Sequence, residues 1–181
     1  MNIVETPIKN LLIITPAKYN DSRGHFFEQF HAERYEQVFG TDILFVQDNV
    51  SKSKKNVLRG LHFQHNYPQG KLVSVLQGSI YDVAVDLRKE SDTFLHWHAV
   101  KLTDKDYKQF WIPEGFAHGF LSLEDNTIVH YKCTNFYDPK SEETMMWNDS
   151  ALNINWPISA PILSKKDLEG ISSDKYLTHV R

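Results

Sequence analysis

The chain has 181 residues, a length that fits one domain with a core large enough for independent stability. Apolar residues make up 41% and aromatic residues 13%, which excludes an intrinsically disordered chain. The formal net charge of -3 gives no general attraction to nucleic acids or anionic membranes, so neither partner is expected. We predict a single domain over residues 1–181.

The sequence shows no feature of membrane insertion or export. Its longest apolar runs are about four residues, too short to span a bilayer. The first ten residues lack the cationic and apolar regions of a signal peptide. Cys133 is the only cysteine, so no intrachain disulfide can form. We expect a soluble cytoplasmic protein.

Ten short strands and, in the first half of the chain, one helix are predicted from the apolar pattern and its Gly and Pro breaks. The helix is predicted over 33–39, where Gly40 ends it. Pro157 and Pro161 oppose regular elements in the tail after residue 148, apart from a short helix at 164–168. Strands so short and so frequent favour an all-β sandwich or barrel. In chain order, the predicted strands cover residues 11–14, 25–31, 43–50, 58–64, 71–76, 80–87, 94–102, 109–112, 116–123 and 127–133.

Residues 57–88 contain three of these strands and an unusual number of polar side chains. Strands that hold so many ionisable groups usually line a wet cavity instead of a dry core. We therefore expect a polar cavity here, although Asp86 is interpreted as structural. The polar side chains are Arg59, His62, Gln64, Lys71, Asp82 and Asp86.

The histidines raise the question of a metal site. In metal-binding cupins, which are jelly rolls, the ligands come from His-x-His, a later Glu and a second motif, Pro-x-Gly-x-x-His. Residues 113–118 match the second motif, but Gln64 replaces the second histidine of the first, and Lys71 replaces the glutamate. A charged lysine cannot ligate and repels a divalent cation. No metal is expected, and His96 with His98 is interpreted as a surface or interface pair.

His62 and Lys71 together suit the abstraction of a proton next to a carbonyl group. A neutral histidine can take a proton from carbon near neutral pH. An ammonium beside it can hold the developing oxyanion. An epimerase also needs an acid on the opposite face, and Tyr131 is a candidate because a phenol can donate and accept a proton.

The chain resembles the dTDP-4-dehydrorhamnose 3,5-epimerase family, deoxysugar epimerases of cupin fold. The resemblance extends over nearly the whole chain. It implies an all-β, cupin-type jelly-roll barrel or sandwich with a few short helices, no cofactor, and the substrate dTDP-4-dehydro-6-deoxy-D-glucose. The matching segments are 21–24, 26–28, 47–49, LRGLHFQ at 58–64, QGKLV at 69–73, DVAVDLR at 82–88, WIPEGFAHGFL at 111–121, Tyr131 with Tyr137, 155–157 and 163–167.

The resemblance implies a role for each matching residue. His62 is the base, held by Asp167, and Tyr131 is the acid on the other side of the sugar. Lys71 stabilises the enolate oxygen. The diphosphate is held by Arg59, Arg23 and Lys166, where Lys166 replaces the Arg of some relatives. The nucleotide and sugar pocket is lined by Gln47, Asn49, Glu28, His118 and Glu142, and Tyr137 stacks on thymine.

The family also implies a homodimer. The strands at 11–14 and 25–31 are candidates for addition to a partner's sheet, which would bring Arg23 and Glu28 into the other subunit's pocket.

Structural interpretations of the same residues remain open. Strict alternation puts Arg59 and His62 on opposite faces of one strand, unless Gly60 marks a bulge or Arg59 serves a neighbouring subunit. Tyr131 could instead pack in the core, and Lys71 could be a charge on an edge strand that discourages aggregation. Arg59 could form an ion pair with Asp82 or Asp86. Asp167 could cap the short helix at 164–168.

Two further functions also remain open. The first is a single-carbon epimerase or ketoisomerase on a related nucleotide 4-keto-sugar, since the base and the pocket would be shared. The second is a cupin that binds a sugar nucleotide without turnover.

Overall fold

The computed structural model describes residues 1–40 and 43–179. Within these residues the helices are α1 (Ala32–Phe39), α2 (Lys165–Leu168) and α3 (Ser173–His179). The strands are β1 (Asn2–Glu5), β2 (Leu12–Thr15), β3 (Lys18–Asp21), β4 (Gly24–Phe27), β5 (Gln47–Ser53), β6 (Leu58–Gln64), β7 (Lys71–Gln77), β8 (Ser79–Asp86), β9 (Trp97–Thr103), β10 (Gln109–Ile112), β11 (Phe116–Ser122), β12 (Thr127–Cys133) and β13 (Glu142–Thr144).

Two antiparallel sheets form the body of the fold. The first has the strand order β1-β2-β10-β7-β12-β5, the second has the order β13-β6-β11-β8-β9, and β3 pairs with β4 in a separate hairpin. The consecutive strands β6, β7 and β8 alternate between the two sheets, because β7 lies in the first sheet and its neighbours in the second. The all-β prediction with a few short helices is confirmed.

The core lies between the two sheets. Val73 and Phe110 of the first sheet pack with Ala84 and Phe120 of the second, each at most 4% exposed. Burial of such side chains stabilises the fold by about 25 cal/mol for each Å² of apolar surface removed from water. A smaller cluster under α1 stacks Phe39 on Trp111 with ring centroids 4.1 Å apart.

Most strand predictions are confirmed, with three sets of corrections. The strands predicted at 58–64, 109–112 and 127–133 have the observed limits. The strand predicted at 43–50 begins only at residue 47, because Ile43 and Phe45 pack into the α1 cluster instead of pairing. The strand predicted at 25–31 ends at Phe27, where the hairpin with β3 ends. Strands β1, β3 and β13 and helix α3 were not predicted.

The predicted role of the strand at 11–14 in dimerisation is wrong for this chain. Its observed counterpart, β2, pairs with β1 on one side and with β10 on the other, so neither edge is free to add to a partner's sheet. The edge strands of the first sheet are β1 and β5. In the described part of the chain, no helix is long and apolar enough to cross a membrane.

Candidate active site

A local irregularity in β6 decides which side chains share a site. His62 pairs with His118 across the ladder between β6 and β11, but Arg59 pairs with Phe120, so the register shifts between these two pairs. Gly60, with φ +109, lies at this shift. A bulge turns one side chain relative to the regular alternation. As a result, Arg59 and His62 line the same cavity, and the bulge predicted at Gly60 is confirmed.

We call this space the central cavity. It has a volume of about 280 Å³, and an adjoining cavity of the same volume shares His62 and Lys71 with it. The central cavity draws its lining from both sheets and from α2. Its polar lining residues are Ser51, Arg59, His62, Lys71, His118, Tyr131, Ser164, Lys166 and Asp167.

His62 and Asp167 are in contact, with 2.6 Å between Nε2 and Oδ1. The carboxylate also accepts hydrogen bonds from the backbone N–H of Gly60 and from the Ser164 hydroxyl. Burial raises the pKa of Asp167, but the hydrogen bonds from His62 and Ser164 outweigh it and lower the pKa to about 2. Donation from Nε2 to this ionised carboxylate leaves the Nδ1 lone pair of a neutral imidazole free to accept a proton.

The N-cap residue of α2 is Ser164 and not Asp167. The Ser164 side chain accepts the backbone N–H of Asp167, as an N-cap residue does. The interpretation of Asp167 as a helix cap is therefore wrong, and its side chain is left to face His62.

Lys71 lies in the middle of a sheet. Its strand β7 has β10 on one side and β12 on the other, so the edge-strand interpretation of this lysine is wrong. The residue is 9% exposed and lines both cavities. Burial lowers its pKa, while the acidic groups of Cys133, Glu142 and Asp82 oppose that effect. Its ammonium makes no hydrogen bond or ion pair with the described part of the chain, so it is available to a ligand.

Tyr131 reaches the central cavity from the first sheet. It stands on β12 opposite Val73 of β7 and opposite Asn49 of β5. Burial raises the pKa of its phenol, which therefore carries its proton at neutral pH. His62 and Tyr131 come from opposite sheets, so they face the cavity from two sides.

A second histidine in the cavity also binds a carboxylate. His118 Nε2 lies 2.6 Å from Asp82 Oδ1, and both residues are buried. Asp82 was not predicted as a site residue; the sequence offered it as one of the polar side chains near an expected cavity and as an ion-pair partner of Arg59. The predicted ion pair of Arg59 is not formed, because Arg59 donates to the Ser53 hydroxyl and to the carbonyl of Lys52.

Asp86 has a structural environment, as predicted. Its carboxylate accepts from the side chains of Arg88, Ser91 and Thr93, and it lines neither of the two cavities described above.

Several predicted binding residues form a connected group around Glu142. Tyr137 donates its hydroxyl to Glu142 Oε2 at 2.7 Å, and the Lys166 ammonium pairs with the same oxygen. Burial raises the pKa of Glu142, but these two donors outweigh it, so the net shift is downward. The backbone N–H of Tyr137 donates to Gln47, whose amide in turn donates to Asn49. The group joins β5 and β13 to α2 beside His62.

Arg23 and Glu28 lie apart from this group. The Arg23 side chain is 88% exposed on the β3–β4 hairpin and pairs with Asp21. Glu28 pairs with Arg34 on α1. Neither residue lines the central cavity of its own chain.

The sequence did not predict Ser51 or Ser164 as lining residues. Ser51 follows Gln47 and Asn49 at intervals of two along β5, so the strand period alone places it on their face. That pattern could have revealed it. Ser164 had no comparable signal, since its position depends on how α2 packs beside β6.

The described residues include no group of three His, Cys, Asp or Glu side chains that could hold a metal ion. Gln64, at the position of the missing ligand, donates its amide to the carbonyls of Tyr67 and Phe136. His96 is exposed, while His98 packs near the ring of Phe110, so this pair is separate from the cavity.

Comparisons with known proteins decide the family. The sequence profile described as dTDP-4-dehydrorhamnose 3,5-epimerase matches residues 5–174. The dTDP-4-dehydrorhamnose 3,5-epimerase of Salmonella typhimurium is 51% identical over 169 residues, which cover 92% of each chain. The chain belongs to the dTDP-4-dehydrorhamnose 3,5-epimerase family.

Solved structures of this epimerase family have the same fold. The epimerase of Legionella pneumophila, in complex with dTDP-4-keto-L-rhamnose, gives a TM-score of 0.91 at 49% identity and covers 94% of this chain and 92% of its own. The epimerase of Bacillus anthracis, with TDP and PPi bound, gives 0.91 at 42% identity and covers 94% and 98%. The predicted cupin-type jelly roll is confirmed.

Proposed function

We propose that this chain is a dTDP-4-dehydrorhamnose 3,5-epimerase that converts dTDP-4-dehydro-6-deoxy-D-glucose into dTDP-4-dehydro-β-L-rhamnose, in dTDP-L-rhamnose biosynthesis. The observation that carries the proposal is the convergence of His62, Lys71 and Tyr131 on one cavity, in a chain of this family. The Legionella relative holds a dTDP-sugar, which supports a nucleotide sugar as the substrate.

In the proposed reaction, His62 Nδ1 takes the proton from a carbon next to the ketone. The electron pair of that C–H bond moves into the ring, and the carbonyl oxygen becomes the enolate oxygen. Asp167 stabilises the imidazolium that forms, through the 2.6 Å contact at Nε2. The Lys71 ammonium, which has no partner among the described residues, stabilises the enolate oxygen.

Tyr131 then donates its phenolic proton to the opposite face of the same carbon, which inverts the centre. The phenolate regains a proton from water, and His62 releases the one it took. Carbon 3 and carbon 5 both flank the ketone. One base and one oxyanion site therefore serve both carbons after the ring shifts.

The remaining polar residues bind the nucleotide. Arg59 and Lys166 line the central cavity and bind the diphosphate, Lys166 as a point charge. Tyr137, which is 51% exposed, stacks on thymine. Gln47, Asn49, His118 and Glu142 line the sugar and nucleotide pocket.

We also infer a cytoplasmic homodimer. Arg23 and Glu28 are part of the predicted binding set, yet both lie away from the central cavity of their own chain. A dimer in which the β3–β4 hairpin reaches the other subunit's cavity brings them to the substrate.

Incubation of the enzyme with dTDP-4-dehydro-6-deoxy-D-glucose in D₂O, together with the reductase that removes the product, tests the function. Proton NMR should show deuterium at carbon 3 and carbon 5 and the formation of dTDP-L-rhamnose. Exchange at carbon 3 alone would make the protein a single-carbon epimerase or a ketoisomerase. Binding without exchange at either carbon would make it a binding protein.

A further inference from the structure

Asp82 differs from the other buried aspartates of the described chain. Asp86, Asp149 and Asp167 each receive hydrogen bonds on both carboxylate oxygens. Asp82 is 0% exposed, but only its Oδ1 has a partner, while Oδ2 is buried without one. A buried carboxylate with an unpaired oxygen is costly unless a positive charge lies near it.

His118 does not supply that charge. Burial lowers the pKa of His118, and the nearby Lys71 and His62 lower it further, against the opposing effect of Asp82. The imidazole is therefore neutral at neutral pH. It donates its Nε2 proton to Asp82 and leaves the negative charge of the carboxylate uncancelled.

Lys71 is the cation that balances it. Among the residues that the structure describes, Lys71 is the only lysine or arginine that is buried. Asp82 on β8 and Lys71 on β7 belong to opposite sheets, and Asp82 acts to raise the pKa of Lys71 against the effect of burial. His118 stands between the ladder partners His62 and Ala84, and it lines the same cavity as Lys71.

We propose that Asp82 is a positioning residue of the active site, which fixes the His118 imidazole through Oδ1 and keeps the Lys71 ammonium charged through its unpaired negative charge. A protonated Lys71 is what the enolate step of the proposed function requires, and the inference rests on that function. Without Asp82, the buried ammonium loses its proton more readily and no longer stabilises an oxyanion.

The other charged groups around Lys71 do not replace Asp82. Glu142 on β13 raises the pKa of Lys71 more strongly than Asp82 does, but its charge is already paired with Lys166 on α2, which lowers the pKa of Lys71. Cys133 stands beside Lys71 on β12, and burial raises the pKa of its thiol, so it is neutral at neutral pH. His62 on β6 is paired with Asp167. Asp82 therefore provides the uncompensated negative charge.

Titration of the Lys71 ammonium in substrate-free protein tests the inference without any turnover. The ¹³Cε signal of Lys71, assigned by its loss in Lys71→Arg, is followed against pH in the wild type and in Asp82→Asn. We expect the wild-type lysine to be protonated at pH 7 and the midpoint to fall by about one pH unit or more in Asp82→Asn. A wild-type Lys71 that is already neutral at pH 7 overturns the inference, even if Asp82→Asn does not fold.

Activity against pH gives a second measurement. Removal of the carboxylate should move the basic limb of the kcat profile to lower pH, so that Asp82→Asn loses about tenfold more activity at pH 9 than at pH 6. Asp82→Glu, which keeps the charge, should restore the limb towards its wild-type position.

Asp86→Asn is the matched control, because it removes a second buried carboxylate from the same strand and face. It should lower stability and leave both the Lys71 titration and the basic limb unchanged. Equal shifts in Asp82→Asn and Asp86→Asn, or no shift in either, contradict the inference. If the wild type shows no exchange with the sugar but Lys71 still titrates as expected, the proposed function fails and the electrostatic role of Asp82 stands.

Discussion

His62 and Asp167 are separated by 105 positions in the sequence, yet their side chains meet at 2.6 Å. Residue types and the comparison with the cupin metal motif together predicted His62 as a base and Lys71 as its charged neighbour. The pairing with Asp167 followed only from the family resemblance, since distance along the chain says nothing about contact. Asp82 was missed as a site residue for the same reason: its partner His118 lies on another strand.

Loss of the proposed base should reduce the rate strongly without loss of the fold. General acid–base catalysis typically contributes about 10²–10⁴-fold, so His62→Ala should lower kcat by that order or more. Steady-state kinetics with coupled product reduction measures the change, and far-ultraviolet circular dichroism checks the fold. Near-normal turnover would refute the assignment of His62.

Tyr131→Phe separates the two proton transfers. The central cavity of this variant keeps His62 and Lys71, so the substrate should still exchange the proton next to its ketone with D₂O. Reprotonation from the opposite face should be blocked, because the phenolic hydroxyl is missing. NMR should therefore show deuterium in unreacted substrate with little inversion. Full inversion at the wild-type rate would mean that another group is the acid.

Asp167 should also govern part of the acid stability. Its folded pKa of about 2 lies below the ordinary value of 3.8, so its contribution is present above about pH 4 and disappears as the pH falls towards 2. The difference in free energy of unfolding between wild type and Asp167→Asn should shrink over that range. Urea denaturation at several pH values measures it, with the exposed Asp92→Asn as control. A constant difference would contradict the His62–Asp167 pairing.

At the scale of elements, strands bounded by clear turn residues were predicted closely, as for β10 and β12. Short polar strands were missed. The residues of β13 are Glu-Glu-Thr, which gives no apolar pattern, and they form a strand only because the edge of β6 is available for pairing. The glycine within β6 did carry information, because it correctly indicated the bulge.

Gly60→Ala should show how closely β6 and β11 approach. A Cβ at Gly60 would lie 2.5 Å from the carbonyl oxygen of His118 and 2.6 Å from the Cα of Gly119. Gly40 has a similar φ of +98, but a Cβ there meets nothing within 4 Å in the described structure. We expect Gly60→Ala to cost about 1–3 kcal/mol more in unfolding free energy than Gly40→Ala, measured by chemical denaturation. Equal costs would contradict the close approach.

At the scale of the whole molecule, the sandwich class followed from the number and spacing of short strands. The strand order did not, because it depends on contacts between distant segments. The alternation of β6, β7 and β8 between sheets brings His62 and Lys71 to one cavity from opposite sheets and places Asp82 in the same sheet as His62. The pattern of residues along the chain does not show which of the two sheets each strand joins.

Mixed dimers test whether the hairpin serves a second subunit. Arg23→Ala and His62→Ala should each be impaired alone. If Arg23 reaches the partner's cavity, a mixed dimer of the two variants contains one site with both residues intact, and activity should return to about half that of the wild type. Dimer formation is checked by analytical ultracentrifugation. No recovery in proven mixed dimers would mean that Arg23 does not serve the partner's cavity.

The central claim is that one base, His62, serves both carbons of the sugar from one cavity. The most direct measurement is the rate of deuterium incorporation at carbon 3 and at carbon 5 in His62→Ala, resolved by proton NMR in D₂O. The exposed His96→Ala is the control. The account predicts that both rates fall together by about 10²-fold or more in His62→Ala and stay near wild type in His96→Ala. Exchange that survives at either carbon in His62→Ala would show a second base and contradict the account.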